Sequence, residues 1–319
     1  VGVYFPETDV NSEVTAAGRS GIAGALALIS ALALSVFLSS RMTGPMRKIA
    51  GAARQFSQLE LDSFQPLPPS RVREVDAQSS SINSMHHALT EFRRYVPQKL
   101  VQRIITSGTE VTRPVERQLT IMFTDIADFT ARSENMSAAE TVSILNEHFE
   151  LVSNAVSKSE GTVDKYLGDG VMAFWGAPEV DEDHARHAVD AALAIRLAHQ
   201  RYLTSLTNKN SDRLHLRIGL HTGRATVGNI GGSDRVNYTV TGHAVNIANR
   251  LEQLTKRICK GDETAISISE ECFEAAGRPP EFRPAGLHDV RGSSRLINVY
   301  TLQENAQTDT HADGVSTAV

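Results

Sequence analysis

Two aspartates in this sequence lie next to apolar, strand-like segments, where a carboxylate needs a partner. Asp125 follows LTIMF almost directly, and that β-rich, nearly continuous apolar segment is typical of a central strand. Aspartate is disfavoured in strands, and an unpaired buried carboxylate is costly. Asp125 therefore requires a buried cation or a cluster of backbone donors, and taken alone it fits a metal ligand and a structural cap equally well.

The second aspartate, Asp169, lies between two glycines in the segment TVDKYLGDGVMAFWG. This segment predicts two short strands joined at Gly168-Asp169-Gly170, and by itself such a sequence is more typical of an ordinary hairpin turn. The carboxylate of Asp125 beside a similar strand favours another interpretation. Two hard oxygen ligands on neighbouring strands can hold a pair of Mg²⁺ ions, with a triphosphate supplying the remaining ligands.

The segment NYTVTGHAVNIANRLEQL predicts a strand followed directly by a helix, and two polar side chains of that helix could also take part in chemistry. Asn246 and Arg250 are four residues apart, so both point from one face of that helix. Beside acidic metal ligands, such a pair could position a ribose and a transferring phosphate, whereas in isolation it would indicate only a solvated face. His184 and His187 have no third ligand nearby in sequence, and we interpret them as surface residues rather than a zinc site.

The composition limits the classes of function. A chain of 319 residues predicts two or three structural units. The net charge of −5 gives no sign of a nucleic-acid partner. The two cysteines, Cys259 and Cys272, lack CxxC spacing. They cannot build a structural zinc site, and a disulfide framework is disfavoured.

Residues 21–40 are predicted to form a transmembrane helix. The segment GIAGALALISALALSVFLS carries no charge and matches the ~30 Å apolar thickness of a bilayer. A buried core helix and a signal peptide are the alternatives, but an acidic stretch precedes the segment and basic residues follow it. Because positive charge stays inside, we expect everything from Arg41 onward to be cytoplasmic, in a chain that crosses the inner (plasma) membrane of a bacterium once. Residues 1–20 would form an extracytoplasmic stub, whose VGVYFPETD resembles the last strand of a Cache-type sensor domain.

Residues 41–98 predict two helices around the proline- and serine-rich connector DSFQPLPPS. The first helix is expected from Gly44 to Leu59, with Pro45 in its first turn. The second is expected from Arg73 to Phe92. Its apolar residues recur with heptad spacing at Val75, Ile82, Met85, Leu89, Phe92 and Val96. Its position directly after a membrane span favours a parallel dimeric bundle. A simple amphipathic helix packed on the following domain is the alternative.

This region resembles a HAMP domain in a few positions. Pro45 lies near the start, Glu74 opens the second helix, and Asn83 and Met85 lie within it. The resemblance implies a homodimer in which motion of the helices carries a signal inward.

From about Arg117 to Leu302 the chain resembles the class III adenylate and guanylate cyclase catalytic domain. The motifs FTDIADFT, VDKYLGDGVMAFWGAP, GLHTG, VGNIG and YTVTGHAVNIANRLE occur in the family's order. The resemblance implies an α/β fold, with an α+β ferredoxin-like cyclase catalytic domain at residues 99–303. We predict that the polar tail at residues 304–319 is disordered.

The resemblance also implies roles for individual residues. Asp125 and Asp169 match the family's metal-binding aspartates, and Ile126 matches a further metal contact through its backbone carbonyl. The implied cofactors are two Mg²⁺ or Mn²⁺ ions per site. Asn246 matches the residue that orients the ribose, and Arg250 matches the one that stabilises charge on the transferring phosphate.

Lys165 and Thr239 match the two positions that recognise the purine. Adenine offers an acceptor at N1 and a donor at its exocyclic amine, which a lysine and a threonine hydroxyl together satisfy. Guanylate cyclases of the family usually carry an acid in place of the lysine, so this pair predicts ATP. Arg291 is expected to contact phosphates. Asp128 departs from the family, which often has glycine there, in a loop expected to approach the triphosphate.

The implied reaction is attack of the ribose 3′-oxygen on the α-phosphorus, with release of pyrophosphate. In the family, the metal-binding aspartates come from one subunit and the other site residues from its partner, which implies a homodimer with shared active sites. A guanylate cyclase is one alternative, disfavoured by Lys165 and Thr239. The other is a non-catalytic receptor that only binds nucleotide, although every catalytic position of the family is occupied here.

Overall fold

The computed structural model describes residues 7–57, 61–92, 100–101, 113–205, 214–259, 261–290 and 295–302. The chain divides into an N-terminal unit, Val1–Val96, and a C-terminal unit, Pro97–Val319.

The N-terminal unit begins with one long helix, α1 (Glu7–Ser57). Because α1 runs without interruption through Pro45, the prediction of a separate helix beginning at Gly44 is wrong. Proline removes one helical hydrogen bond, and its ring clashes with the Cβ of the residue before it. Gly44 has no Cβ, which lowers the cost of carrying proline inside the helix.

The apolar part of α1 is exposed. Among the described residues, one helical segment is long and apolar enough to cross a membrane, Gly21–Ser57, in which the most apolar 18-residue window has a mean hydropathy of 2.3. The large apolar side chains from Ile22 to Leu38 are each more than half exposed. Exposed apolar surface of this extent marks a region that contacts lipid or another protein.

A short 3₁₀ turn (Leu61–Ser63) and α2 (Arg73–Phe92) complete the N-terminal unit, and α2 spans the residues predicted for the second helix. The side chain of Asn83 holds the connector in place. Its Oδ1 accepts a hydrogen bond from the Leu67 backbone N–H at 2.9 Å, and its Nδ2 donates to the Leu67 carbonyl at 3.0 Å. The connector, which has no regular structure after the 3₁₀ turn, is thus tied to α2.

The predicted heptad positions of α2 fall on two faces of the helix. Ile82 and Leu89 pack on a small core that contains Phe56 of α1. In contrast, Met85 and Phe92 are 49% and 59% exposed. Val75 is also buried, and Val96 lies outside the described residues. In the single chain, the predicted heptad positions therefore do not form one continuous buried face along α2.

The C-terminal unit contains an eight-stranded sheet within the described residues. The strands are β1 (Val115–Ile126), β2 (Thr162–Leu167), β3 (Gly170–Trp175), β4 (Leu216–Gly231), β5 (Val236–Thr241), β6 (Thr264–Ser269), β7 (Phe282–His288) and β8 (Ile297–Leu302). Their order is β2-β3-β1-β4-β6-β8-β7, and β5 pairs with β4. The β4–β6 pair is parallel and the other described pairs are antiparallel.

Helices cover both faces of this sheet. They are α3 (Phe129–Ser133), α4 (Ala138–Lys158), α5 (His184–Ser205), α6 (His243–Ile258) and α7 (Glu270–Ala275). Along β1, Met122 belongs to the core formed with α4, α5 and α7, whereas Ile121 and Phe123 belong to the core formed with α6. Burial on both faces explains why β1 is apolar at consecutive positions. The mixed α/β architecture confirms the predicted fold class.

One surface prediction is wrong. His184 is buried at the start of α5, and its Nδ1 lies 2.7 Å from the Thr120 hydroxyl. His187 is partly exposed and bonds through Nδ1 to the Asp181 carboxylate at 2.8 Å. Each histidine is thus held by a polar partner of its own, and for His184 that partner lies on β1.

Candidate active site

The pairing of β1 with β3 brings Asp125 and Asp169 together. Asp125 lies near the end of β1, and Asp169 lies in the turn that connects β2 to β3. A Cβ added at Gly170 would lie 2.5 Å from the Thr124 carbonyl oxygen, so only glycine permits this approach of the two backbones. The two carboxylates share one short edge of the sheet as a result.

The electrostatics of this pair suit a cation. Burial, and then the charge of Asp125, raise the pKa of Asp169 to about 6. The backbone N–H of Ile126 donates a hydrogen bond to the Asp169 carboxylate. Two adjacent carboxylates repel each other, and hard oxygen donors of this kind fit a divalent ion such as Mg²⁺. Within the described residues, no group of three or more His, Cys, Asp or Glu side chains is placed to hold a metal ion.

Arg217 is a site residue that the sequence analysis missed. It is the register partner of Asp125 on β4, and its Nη2 donates a hydrogen bond to the Asp125 carboxylate. Its Nε lies 3.2 Å from Oε1 of Glu252 on α6. Antiparallel register decides which residue of RIGLHTG faces Asp125, and the sequence carries no direct signal of that register.

Glu252 lies under the same cluster and was also missed. Burial, and then the charge of Asp125, raise its pKa to about 7. The helix that carries Glu252, α6, packs very closely on β4: a Cβ added at Gly219 would lie 2.2 Å from the Glu252 backbone nitrogen. The first glycine of GLHTG, Gly219, is therefore the sequence signal for this close helix–strand contact.

The two predicted purine-binding residues meet at one point. Lys165 of β2 donates a hydrogen bond from Nζ to the Thr239 hydroxyl of β5 at 3.1 Å. The Thr239 hydroxyl in turn donates to the Asp164 carboxylate at 2.6 Å. The Asp164 side chain is 2% exposed, and burial raises its pKa. Asp164 is the third residue that the sequence analysis missed.

A β-bulge makes this arrangement possible. Neighbouring strand residues normally point to opposite faces of a sheet. The β2–β3 register shifts between Val163 and Lys165, so the extra residue re-aims the side chains there. Asp164 and Lys165 consequently reach the same hydroxyl, with 3.6 Å between the lysine Nζ and the Asp164 carboxylate.

Asn246 and Arg250 lie on an accessible face of α6. Asn246 is exposed, and Arg250 donates a hydrogen bond from Nη1 to the Gln253 side chain at 2.8 Å. Within the described ranges, no hydrogen bond or ion pair joins either residue to Asp125 or Asp169. Arg291 lies outside the described residues.

The departure at Asp128 is neutralised by a neighbour. Asp128 adopts a left-handed backbone conformation with φ of 58°, which glycine adopts more easily. Its carboxylate accepts a hydrogen bond from Lys256 Nζ at 2.7 Å, and that bond lowers the pKa of Asp128. The extra negative charge therefore has its own counter-charge.

Comparison with known proteins agrees with these motifs. Residues 111–304 match the family described as the adenylate and guanylate cyclase catalytic domain. The chain is 33% identical over 281 residues to adenylate cyclase 1 of Rhizobium meliloti, an alignment that covers 88% of this chain and 41% of that protein. It is 30% identical over 317 residues to an adenylate cyclase of Anabaena cylindrica, with 92% and 61% covered.

The chain thus spans less than two thirds of the length of either relative. Among solved structures, the adenylyl cyclase CyaB from P. aeruginosa is 31% identical, with a TM-score of 0.53 over 60% of this chain and 96% of that one. The family match covers more than half of the sequence, in the same region as the site described above. The chain belongs to the adenylate and guanylate cyclase catalytic domain family.

Proposed function

We propose that this protein is a membrane-bound adenylate cyclase that converts ATP to 3′,5′-cyclic AMP and pyrophosphate. The observation that carries the proposal is the contact of Lys165 with Thr239, because it joins the two purine-binding groups from separate strands. Both relatives compared above are named adenylate cyclases.

The choice of ATP follows from hydrogen-bond chemistry. Lys165 can donate to the N1 acceptor of adenine, and Thr239 can accept from its 6-amino group. Guanine carries a hydrogen on N1 and an oxygen at position 6, so it would place donor against donor at Lys165. Leaving such groups unsatisfied costs about 1–3 kcal/mol each, which is enough to disfavour GTP.

The remaining site residues would position the reacting groups. Asp125 and Asp169 would hold two divalent ions, Mg²⁺ or Mn²⁺, with the carbonyl of Ile126 as a further ligand. When bound, such ions lower the pKa of a coordinated hydroxyl and neutralise a triphosphate. Asn246 would orient the ribose so that its 3′-oxygen faces the α-phosphorus, and Arg250 would stabilise the negative charge that builds on that phosphate.

The phosphates would have further contacts. Arg291 is proposed to bind them from the segment before β8. Arg217 lies beside Asp125, so its guanidinium is near the aspartate end of β1. Positive groups at this end would help hold a triphosphate as the pyrophosphate leaves.

The active sites are proposed to be shared between two copies of the chain. Asn246 and Arg250 lie on an accessible helix face, without a bond to the aspartates in the described part of the chain. A homodimer would bring that face of one subunit to the aspartates of the other and create two equivalent sites.

Control through the membrane is part of the same proposal. The exposed apolar stretch of α1 would span the plasma membrane, with the C-terminal unit in the cytosol. Residues 41–98 would act as a HAMP relay between the membrane and the catalytic unit. Displacing catalytic groups by about 1 Å can cost ~10²-fold in rate, so a small helix motion is sufficient for control.

Product analysis tests the proposal directly. The full chain in detergent or in membranes is supplied with ATP or GTP, each with Mg²⁺ and with Mn²⁺, and the products are identified by mass spectrometry. We expect cyclic AMP and pyrophosphate from ATP, and at least tenfold less cyclic GMP from GTP. Asp169→Asn is the inactive control. Cyclic GMP as the main product would show a guanylate cyclase, and bound nucleotide without product would show a non-catalytic receptor.

A further inference from the structure

We propose that Asp164 is a positioning residue that fixes the direction of the Thr239 hydroxyl proton and so makes the site selective for a 6-amino purine. The inference rests on the proposed nucleotide cyclase function. It adds a residue that does not itself touch the base and acts through Thr239.

The contacts of Asp164 fix its role as an acceptor. Its carboxylate accepts a hydrogen bond from the Thr239 hydroxyl, with 2.6 Å between the two oxygens, and a second hydrogen bond from the Val240 backbone N–H. Lys165 lies 3.6 Å away and balances its charge. An ionised carboxylate has no hydrogen to donate, so the threonine hydroxyl has to be the donor in this contact.

The hydrogen bonds that the Thr239 hydroxyl already makes determine whether it can donate to a ligand or only accept from it. A hydroxyl has one hydrogen and two lone pairs. The hydrogen goes to Asp164, and one lone pair accepts from Lys165 Nζ at 3.1 Å. One lone pair is left, so Thr239 can offer a ligand only an acceptor.

An acceptor at this position distinguishes the purines at carbon 6. The 6-amino group of adenine donates to the free lone pair, whereas the 6-oxygen of guanine would meet it as acceptor against acceptor. Without Asp164 the hydroxyl could rotate and donate to that oxygen. Asp164 therefore prevents Thr239 from adapting to guanine, and it does so from a buried position, since its side chain is 2% exposed.

Replacing Asp164 by asparagine in the full chain tests this role. An amide has a single accepting oxygen, and if that oxygen keeps the bond from Val240, its NH₂ group turns the Thr239 proton outward. We expect the ratio of kcat/KM for ATP to that for GTP to fall by about tenfold in D164N. Thermal unfolding checks that the variant is folded, and D164A, which frees the hydroxyl to rotate, serves as a second variant with the same expected direction.

A third substrate isolates the 6-amino group. Purine riboside triphosphate lacks that group but keeps the N1 acceptor. In the wild type, loss of the amine should lower kcat/KM by about tenfold, and in D164N by much less. A merely structural role for Asp164 would instead lower the rates with all three nucleotides together and leave their ratios unchanged, which would overturn the inference.

Two further variants complete the test. In a Thr239→Val background, which lacks the hydroxyl, the additional change D164N should not alter the nucleotide ratios any further. Asp190→Asn is the control for neutralising a carboxylate, because Asp190 lies on the surface of α5 with its side chain 49% exposed. A ratio that still changes with D164N in the valine background would contradict action through Thr239.

The proposed function and this inference can fail separately. Wild-type chain that forms no cyclic AMP would refute the proposed function, and dissociation constants for ATP, GTP and purine riboside triphosphate would then decide the role of Asp164. An active wild type with an unaltered nucleotide ratio in folded D164N would refute only the inference.

Discussion

Arg217 on β4 donates a hydrogen bond to Asp125 directly across the β1–β4 ladder, where the two residues are register partners. The same guanidinium lies 3.2 Å from Glu252. Asp125 is in turn next to Asp169, whose pKa its charge helps to raise. One arginine thus supplies positive charge to a cluster of three carboxylates, and the site is built around that compensation.

Removing the guanidinium of Arg217 should lower the stability of the folded protein. Arg217→Ala would leave Asp125 and Glu252 without their counter-charge, and we expect a loss of roughly 1–3 kcal/mol in the free energy of unfolding because the pair is only partly buried. Arg217→Lys keeps the charge but not the two-sided geometry, so its loss should be smaller. Thermal unfolding of the solubilised chain measures both.

Divalent ions provide the contrast for that experiment. If Mg²⁺ binds at Asp125 and Asp169, adding it should raise the unfolding midpoint of Arg217→Ala more than that of the wild type, because the ion replaces the missing positive charge. Equal stabilisation of the two proteins by Mg²⁺ would contradict this compensation, and no stabilisation of either would contradict a cation site at this pair.

The Gly168-Asp169-Gly170 turn offers a matched pair of substitutions. In Gly170→Ala the new Cβ would lie 2.5 Å from the Thr124 carbonyl, so β3 has to move away from β1. In Gly168→Ala nothing lies within 4 Å, and the cost comes only from a φ of +65°. We expect a loss of about 1 kcal/mol for Gly168→Ala. For Gly170→Ala we expect a larger stability loss and about 10²-fold lower cyclase activity, because Asp169 is displaced.

Unfolding and rate measurements on the two alanine variants decide this point. Similar activity in both would mean that the close contact of Gly170 does not position Asp169. Full activity in a folded Gly170→Ala protein would show that Asp169 keeps its position without this contact, and the role of Asp169 itself is tested by Asp169→Asn.

Local motifs of the site could be predicted from the sequence, whereas the pairing register of its strands could not. The strand before Asp125 and the turn at Asp169 were predictable, because apolar runs and glycines act locally. Arg217 was not, since its partner lies 92 positions away in the chain and is selected by strand register. Asp164 was missed because a bulge, which no residue pattern announced, turns it toward Thr239. The continuity of α1 through Pro45 was mispredicted from a general rule for helix starts.

Two histidines with buried side chains contribute stability that acid should remove. His148 on α4 and His199 on α5 each have a buried Nε2 with no hydrogen-bond partner within the described residues. Burial lowers the pKa of each to about 4. His199 also faces His215, which lowers its pKa, and Glu263, which raises it.

The sign of the pH dependence follows from these values. In the unfolded chain histidine has a pKa near 6.5, so below that pH the unfolded state binds more protons than the folded state. Stability present above about pH 6.5 is therefore lost as the pH falls toward 4, by roughly 1–3 kcal/mol for each histidine. The raised pKa values of Asp169 and Glu252 act in the opposite sense over this range. The effect is therefore measured as the difference in unfolding midpoint between the wild type and His148→Leu at pH 7.5, 6 and 5. His148→Leu should flatten the dependence, the exposed His87→Leu should not, and an identical slope in both variants would contradict the assignment.

Complementation between two inactive chains tests the shared active sites. Asp169→Asn removes a residue of the aspartate half of each site, and Arg250→Ala removes a residue of the other half. In a heterodimer of the two variants, one site carries both defects and the other carries neither. With random pairing, half of the dimers are heterodimers with one intact site, so coexpression should recover about a quarter of wild-type activity. Coexpression of Asp169→Asn with Asp125→Asn is the matched control, because both changes fall in the same half and no dimer contains an intact site. Sites completed within a single chain would give no recovery in either mixture, and that result would refute the shared-site dimer while leaving the catalytic residues themselves in place.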